Sequence, residues 1–289
     1  MTARSFRLLL GLACACLAAQ PGAPAHAAST LDRIRDTATI TFAYRAGAAP
    51  FSFADREGRV RGYSVELCNA VAAAIQQQLK IASLRIEWKP VDADTRLEAV
   101  ASGKADAECG TTTITLSRME KVDFSLPIFV DGGTLLVRAG SKLARLADLR
   151  GRKVAVIAGT TTERSLVAAM NLQEAAATLV PVKDGTEGVL ALAAGKVDAY
   201  AGDRIVLAGL KLRDVAGKPL QIFDHDFSYE PYGIVLRRDD PDFRLAVNRG
   251  LVEVYRKGGI DPIYQRWLAP LGPPGPLLNS MYYLNAIPD

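Results

Sequence analysis

Histidine is nearly missing from this chain, with two in 289 residues, and one of these, His26, lies in the N-terminal leader discussed below. A zinc site or a Ser-His-Asp triad would have to be assembled around His225 alone, which removes both as working hypotheses. Cysteine is scarce too, at four. Cys14 and Cys16 fall in the leader, leaving Cys68 and Cys109, neither beside a histidine that would mark a nucleophile. In an oxidising compartment these two either pair or stay as buried thiols, and the residues leave both open. Beyond residue 28 no apolar run approaches the roughly 20 residues needed to cross a bilayer as a helix. A strong excess of either charge is also absent. The formal charge of +4 falls to +2 once Arg4 and Arg7 are removed with the leader, which gives no case for nucleic acid or anionic lipid as a partner.

What the first 28 residues do contain is an export signal. Arg4 and Arg7 precede an apolar run from Leu8 to Ala19, followed by Pro21, Pro24 and the small-residue site Ala25-His26-Ala27. This pattern predicts a signal peptide cut after Ala27 or Ala28. Gly11-Leu12-Ala13-Cys14 is a poor lipoprotein site, so a soluble, exported mature protein is expected. The remaining length and the 49% apolar fraction suffice for two ordinary cores.

One phrase occurs twice. Ala99-Val100-Ala101-Ser102-Gly103-Lys104-Ala105-Asp106-Ala107 is echoed by Ala191-Leu192-Ala193-Ala194-Gly195-Lys196-Val197-Asp198-Ala199. Each copy reads as the end of an apolar helix, a glycine C-terminal cap and the start of a buried strand. Around each copy, strand and helix patterns alternate. The first run has strands at 39–44, 85–89 and 105–109 with helices at 65–79 and 95–102. The second has strands at 153–157, 179–182 and 197–201 with helices opening at Thr160 and at Glu187. Such alternation predicts an α/β protein of two lobes, each a mostly parallel sheet flanked by helices. Segments 124–138 and 227–237 are extended, aromatic and Pro- or Gly-containing, and are expected to be two hinge strands between the lobes.

Ligands of open parallel sheets bind beyond the carboxyl ends of the strands. Those ends carry Arg45, Thr111 with Thr113, Thr160 with Thr161, and Asp203, and Arg118 follows closely enough to turn back to the same cleft. Cations, hydroxyls and one carboxylate are what a zwitterion needs: an arginine fork receives a carboxylate, hydroxyls and helix-start N–H groups share its charge, and an aspartate takes the ammonium.

At this point the chain resembles a family. Gly58–Ala73 (GRVRGYSVELCNAVAA), Leu97–Pro127 (with SGKADAECGTTTITLSRMEKVDFSLP), Leu146–Glu163 (LADLRGRKVAVIAGTTTE) and Pro231–Asp239 (PYGIVLRRD) match in order and spacing the periplasmic amino-acid-binding proteins of ABC uptake systems. The resemblance implies the two-lobed type II periplasmic-binding-protein fold, with residues 29–129 as the first part of lobe 1, 130–231 as lobe 2, and 232–289 returning to lobe 1. It implies a non-catalytic, monomeric periplasmic protein that needs no cofactor, closes on an amino acid and hands it to a membrane-embedded permease. Arg118 is then expected to hold the α-carboxylate, helped by Thr111, Thr113, Thr160 and Thr161, with Asp203 taking the ammonium. Phe51 is expected to pack against the ligand and Phe53 to lie in the lobe core.

Arg45 and Arg96 fall where the glutamate/aspartate-binding branch places arginines for a side-chain carboxylate, so an acidic amino acid is the expected ligand. Ala93 and Gly185 stand where that branch tends to have Ser and His, which loosens the side-chain pocket. Two other classes share the fold. An exported cyclohexadienyl dehydratase would need a carboxylic acid poised in the cleft. Glu108 and Glu163 are its candidates, and neither has a sequence neighbour that would raise its pKa. A soluble sensor feeding a membrane receptor is the third.

Overall fold

The computed structural model describes residues 29–214 and 216–288; the signal-peptide reading of residues 1–28 lies outside them. Two five-stranded sheets are built by one rule. In the first, the spatial order is 85–90, 39–44, 107–108, 230–236, 123–131, and the first three strands are parallel while Glu230–Leu236 runs against both its neighbours. In the second, the order is 178–182, 153–157, 199–203, 133–138, 220–222, and Gly133–Arg138 is the strand that runs against its neighbours. The α/β pattern and the two lobes thus agree with the sequence.

The twice-written phrase has a physical cause. Gly103 and Gly195 both take φ of 74°, a left-handed turn that strains any residue with a Cβ, and each ends a helix (Arg96–Ala101, Gly185–Ala193). Three residues later an aspartate ties the next strand to its neighbour. Asp106 donates its N–H to the Thr41 carbonyl (2.8 Å), and its carboxylate accepts from the Thr41 N–H (2.8 Å). Asp198 does the same with Lys153, at 2.8 and 2.9 Å. In both lobes this clamp sits at the amino end of the sheet and leaves the carboxyl end free for a ligand.

Each lobe has its own core. Helix Tyr63–Leu79 buries Val65, Leu67, Cys68, Val71, Ala72 and Ile75 against the first sheet and helix Pro241–Arg256. Burying one such side chain stabilises by roughly 1.5–3 kcal/mol. Gly250 lets the two helices approach, since a Cβ there would lie 2.9 Å from Val71 Cα. The second sheet is covered on both faces, by clusters around Val154, Val156 and Leu166 on one side and Val189, Leu192 and Tyr200 on the other. Cys68 and Cys109 are disulfide-bonded, which fastens the buried face of helix Tyr63–Leu79 to the strand end that precedes Gly110–Thr113.

The extended segment read at 124–138 is two strands, Asp123–Asp131 in the first sheet and Gly133–Arg138 in the second, with Gly132 between them. The chain returns to the first sheet at Glu230, which pairs with Asp131. Asp131 also anchors lobe 2, because its carboxylate accepts the Ile205 N–H (3.1 Å) in the first turn of helix Arg204–Leu212. Near the C-terminus Tyr264 packs into lobe 1 and donates to the Gly272 carbonyl (2.9 Å). Trp267 packs edge-on against Phe53, with ring centroids 5.7 Å apart.

Candidate functional site

The carboxyl ends of the two sheets face each other across a small cavity of about 60 Å³. Lobe 1 supplies Arg45, Gly47, Ala48, Arg96 and Thr111; lobe 2 supplies Ile157, Thr160 to Thr162, Gly185, Tyr200 to Asp203, and Val206. Six of the nine sequence-predicted site residues therefore line one space: Arg45, Arg96, Thr111, Thr160, Thr161 and Asp203.

The cationic side is under-compensated. Arg96 is 3% exposed; its one hydrogen bond reaches the Thr111 carbonyl at 3.5 Å, and its Nε has no partner. Burial, and then the neighbouring Arg45, pull its pKa down to about 9, with Glu108 and Asp203 acting the other way. The Arg45 backbone N–H donates to Ser52 Oγ (3.0 Å), while among the described residues no acceptor meets its guanidinium. Glu108 is fully buried beside this pair. One of its oxygens accepts from the Thr112 hydroxyl (2.7 Å), and the other has no partner. Two guanidiniums with so few acceptors form a socket for an anion.

The anionic side is Asp203. Thr162 donates to one of its oxygens (2.7 Å) and the Tyr232 hydroxyl to the other (2.5 Å). Burial, then the Glu230 charge, raise its pKa, opposed by these two hydrogen bonds and by Arg96. Asp131, which also accepts from Tyr232 (3.2 Å), is held well above the usual carboxylate range by burial and by Asp203. Each Asp203 oxygen keeps a free lone pair, so the group can accept a cation from the cavity.

Thr113 and Arg118 stand beside the cavity rather than in its wall. The Thr113 hydroxyl donates to Glu230 (2.6 Å) and receives the Thr161 hydroxyl across the cleft (3.0 Å). Arg118 donates from Nη1 to the Thr113 carbonyl (2.7 Å), which leaves Nη2 and Nε without protein acceptors. Its pKa is lowered by burial and by Arg164, against the pull of Glu230, Glu108 and Asp203. A second, wider cavity of about 270 Å³ opens beyond the threonine pair, bounded by Arg164, Ser165, Tyr229 and Glu230.

Phe51 is elsewhere. It is fully buried in the lobe 1 core, edge-on to Tyr63, Phe129 and Tyr232 at 4.8–5.7 Å, and takes no part in the cavity wall. The expected ligand contact is replaced by an aromatic cluster behind the site, one member of which, Tyr232, reaches Asp203. Phe53, expected in the core, is instead half-buried at the seam between lobes, with the Arg213 guanidinium 5.8 Å over its ring. The two carboxylates considered for acid catalysis do not line the cavity: Glu108 lies beneath it, and Glu163 accepts the Gly159 N–H (2.7 Å) at a helix start. Sequence reading passed over Tyr200, Tyr232 and Glu230. Tyr200 sits in an apolar strand pattern, and the other two in a segment read only as a hinge. A polar tip inside an otherwise apolar run is the signal that was available for all three.

Two similar α/β lobes closing on a charged cavity at their strand ends define a two-lobed ligand-binding protein of the type II periplasmic-binding-protein class. The family model for bacterial extracellular solute-binding proteins, family 3, matches residues 40–270, and the chain belongs to that family. It is 31% identical over 267 residues to a glutamate/aspartate import solute-binding protein of Salmonella typhimurium, covering 92% of this chain and 88% of that one. It is 32% identical over 252 residues to an L-glutamate/L-aspartate-binding protein of Pseudomonas aeruginosa, covering 86% and 83%. Among solved structures, an ancestral arginine-binding protein bound to arginine aligns with a TM-score of 0.71 at 32% identity, over 80% of this chain and 99% of that one. An ancestral amino acid-binding protein described as a precursor of cyclohexadienyl dehydratase aligns with a TM-score of 0.72 at 30% identity, over 83% and 99%.

Proposed function

We propose that this protein captures an acidic L-amino acid, glutamate or aspartate, outside the cytoplasm and delivers it to an ABC-transporter permease. The observation that carries the reading is Arg96: a guanidinium almost fully buried, facing the cavity beside a second one, with a donor that meets nothing. A neutral side chain in the pocket would leave that charge unanswered, which costs several kcal/mol, whereas a second carboxylate on the ligand answers it. Arg118 with Thr111 and Thr161 receives the α-carboxylate, Asp203 the ammonium, and Arg45 with Arg96 the side-chain carboxylate. The names of the Salmonella and Pseudomonas relatives support the same ligand class. The arginine-bound ancestor, of similar fold and identity, shows why the ligand is argued from the cavity rather than from likeness.

A thermal-shift panel of the twenty amino acids on ligand-stripped protein tests this. A ligand at a hundred times its Kd stabilises by roughly 2.7 kcal/mol, enough to move Tm by several degrees. Shifts confined to glutamate and aspartate are expected; a shift with arginine or neutral amino acids and none with these two refutes the ligand class. No shift with any amino acid makes prephenate turnover the next assay.

A further inference from the structure

The cavity holds one polar group that no role above employs. Tyr200 is 2% exposed and lines the cavity from the lobe 2 side, and among the described residues its hydroxyl has no hydrogen-bond partner. A buried phenol usually finds a partner for its O–H, so this one is provided for a group that enters the cavity.

The ring is held rigidly. Strand Ala199–Asp203 pairs on both sides, Tyr200 with Leu136 and with Ala155. Helix Gly185–Ala193 lies flat on the ring through Gly188, where a Cβ would come within 2.6–2.8 Å of three ring atoms. Gly185, the first residue of that helix, lines the cavity beside the oxygen; a Cβ there would stand 3.5 Å from it and 2.7 Å from Leu210 Cδ1. The ring is therefore fixed, with the phenol in the cavity wall. Burial, then the Asp203 and Asp184 charges, raise its pKa against the pull of Arg45, which keeps the O–H a donor at neutral pH.

We propose that Tyr200 is a specificity-determining residue whose hydroxyl donates a hydrogen bond to the side-chain carboxylate of the ligand, in the cavity it shares with Arg45 and Arg96. The proposal rests on the acidic-ligand reading given above. It makes lobe 2 a reader of the ligand side chain, so that full side-chain recognition requires both lobes. It also selects for charge, because a hydrogen bond to a carboxylate is roughly twice as strong as one to a neutral amide oxygen.

The test is Tyr200→Phe, which keeps the ring against Gly188 and removes one oxygen. Affinities for glutamate, aspartate, glutamine and asparagine would be measured by calorimetry on ligand-stripped wild type and variant, with the ligand-free Tm as a check of folding. A roughly tenfold or greater loss for the acidic ligands, a smaller loss for the amides and an unchanged ligand-free Tm are expected. Unchanged acidic affinity in the variant overturns the role of Tyr200 while leaving the site reading intact. Failure of wild type to bind either acidic amino acid overturns the reading itself. Should Y200F not fold, Gly185→Ala decides: its methyl would stand 3.5 Å from the phenol oxygen and press on Leu210, so with a ligand-free Tm close to wild type weakened glutamate binding is expected, and undiminished binding refutes the proposal.

Discussion

Replacing Arg96 by methionine should make the ligand-free protein more stable while nearly destroying its affinity for acidic amino acids. The guanidinium is buried with one long hydrogen bond and an unpaired Nε. Burial draws its pKa down to about 9, and each pKa unit corresponds to about 1.4 kcal/mol, so the charged form carries several kcal/mol of unfavourable free energy when no anion meets it. Methionine fills much of the same volume and removes that burden. Part of the gain is lost, because Glu108 and Asp203 lose a nearby cation. A net gain of about 1–3 kcal/mol is expected, or several degrees in Tm. With glutamate present the order reverses: loss of a buried charge-assisted contact costs about 2–5 kcal/mol of binding, a factor of roughly 30 to several thousand in Kd. Differential scanning fluorimetry of stripped protein, with and without glutamate, reads both effects in one experiment. A variant less stable than wild type when empty, with glutamate affinity preserved, would show that Arg96 serves the fold by answering Glu108, and the assignment of the side-chain pocket would fall.

Arg118→Ala should abolish binding of every amino acid, since the α-carboxylate is common to all; calorimetry with any ligand retained at wild-type affinity would refute its role. Asp203 has a raised pKa in the empty protein, and a bound ammonium favours its ionised form. Affinity should therefore fall, with proton release on ligand uptake, as pH drops through that raised pKa; calorimetry over the acid range detects it, and an affinity independent of pH there refutes the ammonium contact. Replacing Cys68 and Cys109 together by serine opens a loop of 41 residues and should lower stability by about 2–4 kcal/mol in chemical denaturation. An unchanged unfolding midpoint would show that the bond stabilises nothing.

Much of this architecture could be read before any coordinates. The repeated Gly-Lys-x-Asp-Ala was legible because a left-handed glycine and a strand-clamping aspartate are local requirements that residue types announce directly. Arg45, Arg96 and Asp203 were legible for a related reason: charges at the carboxyl ends of buried strands are conspicuous. Phe51 was misplaced because an aromatic after Ala49-Pro50 packs equally well toward a ligand or toward Tyr63 and Phe129, and only the turn geometry chooses. Tyr200 was hidden because its ring belongs to the lobe 2 core while its oxygen belongs to the cavity. Residue type reports the first role and not the second. Glu230 and Tyr232 were missed because their partners, Thr113 and Asp203, lie far away along the chain and meet them only when two sheets converge.

The polar clasp between the lobes is slight, set beside an apolar seam where Ile205 and Val206 pack against the lobe 1 core and Arg213 lies over Phe53. Apart from the anchor of Asp131 at the chain crossing, the side-chain hydrogen bonds that span the cleft among the described residues are Thr161 to Thr113 and Tyr232 to Asp203. At a net contribution of about 0.5–1.5 kcal/mol for an ordinary hydrogen bond, rising to about 3 where a charged group takes part, they hold the empty closed form by a few kcal/mol at most. Swinging a two-state population from one in a hundred to ninety-nine in a hundred takes about 5.5 kcal/mol of preferential binding. A ligand that neutralises two guanidiniums and one carboxylate at once has that much to give, and one lacking a single charge does not. On the acidic-ligand reading, so small a polar clasp makes the ligand's charge count decide how often the lobes stay shut, as well as how tightly the pocket grips.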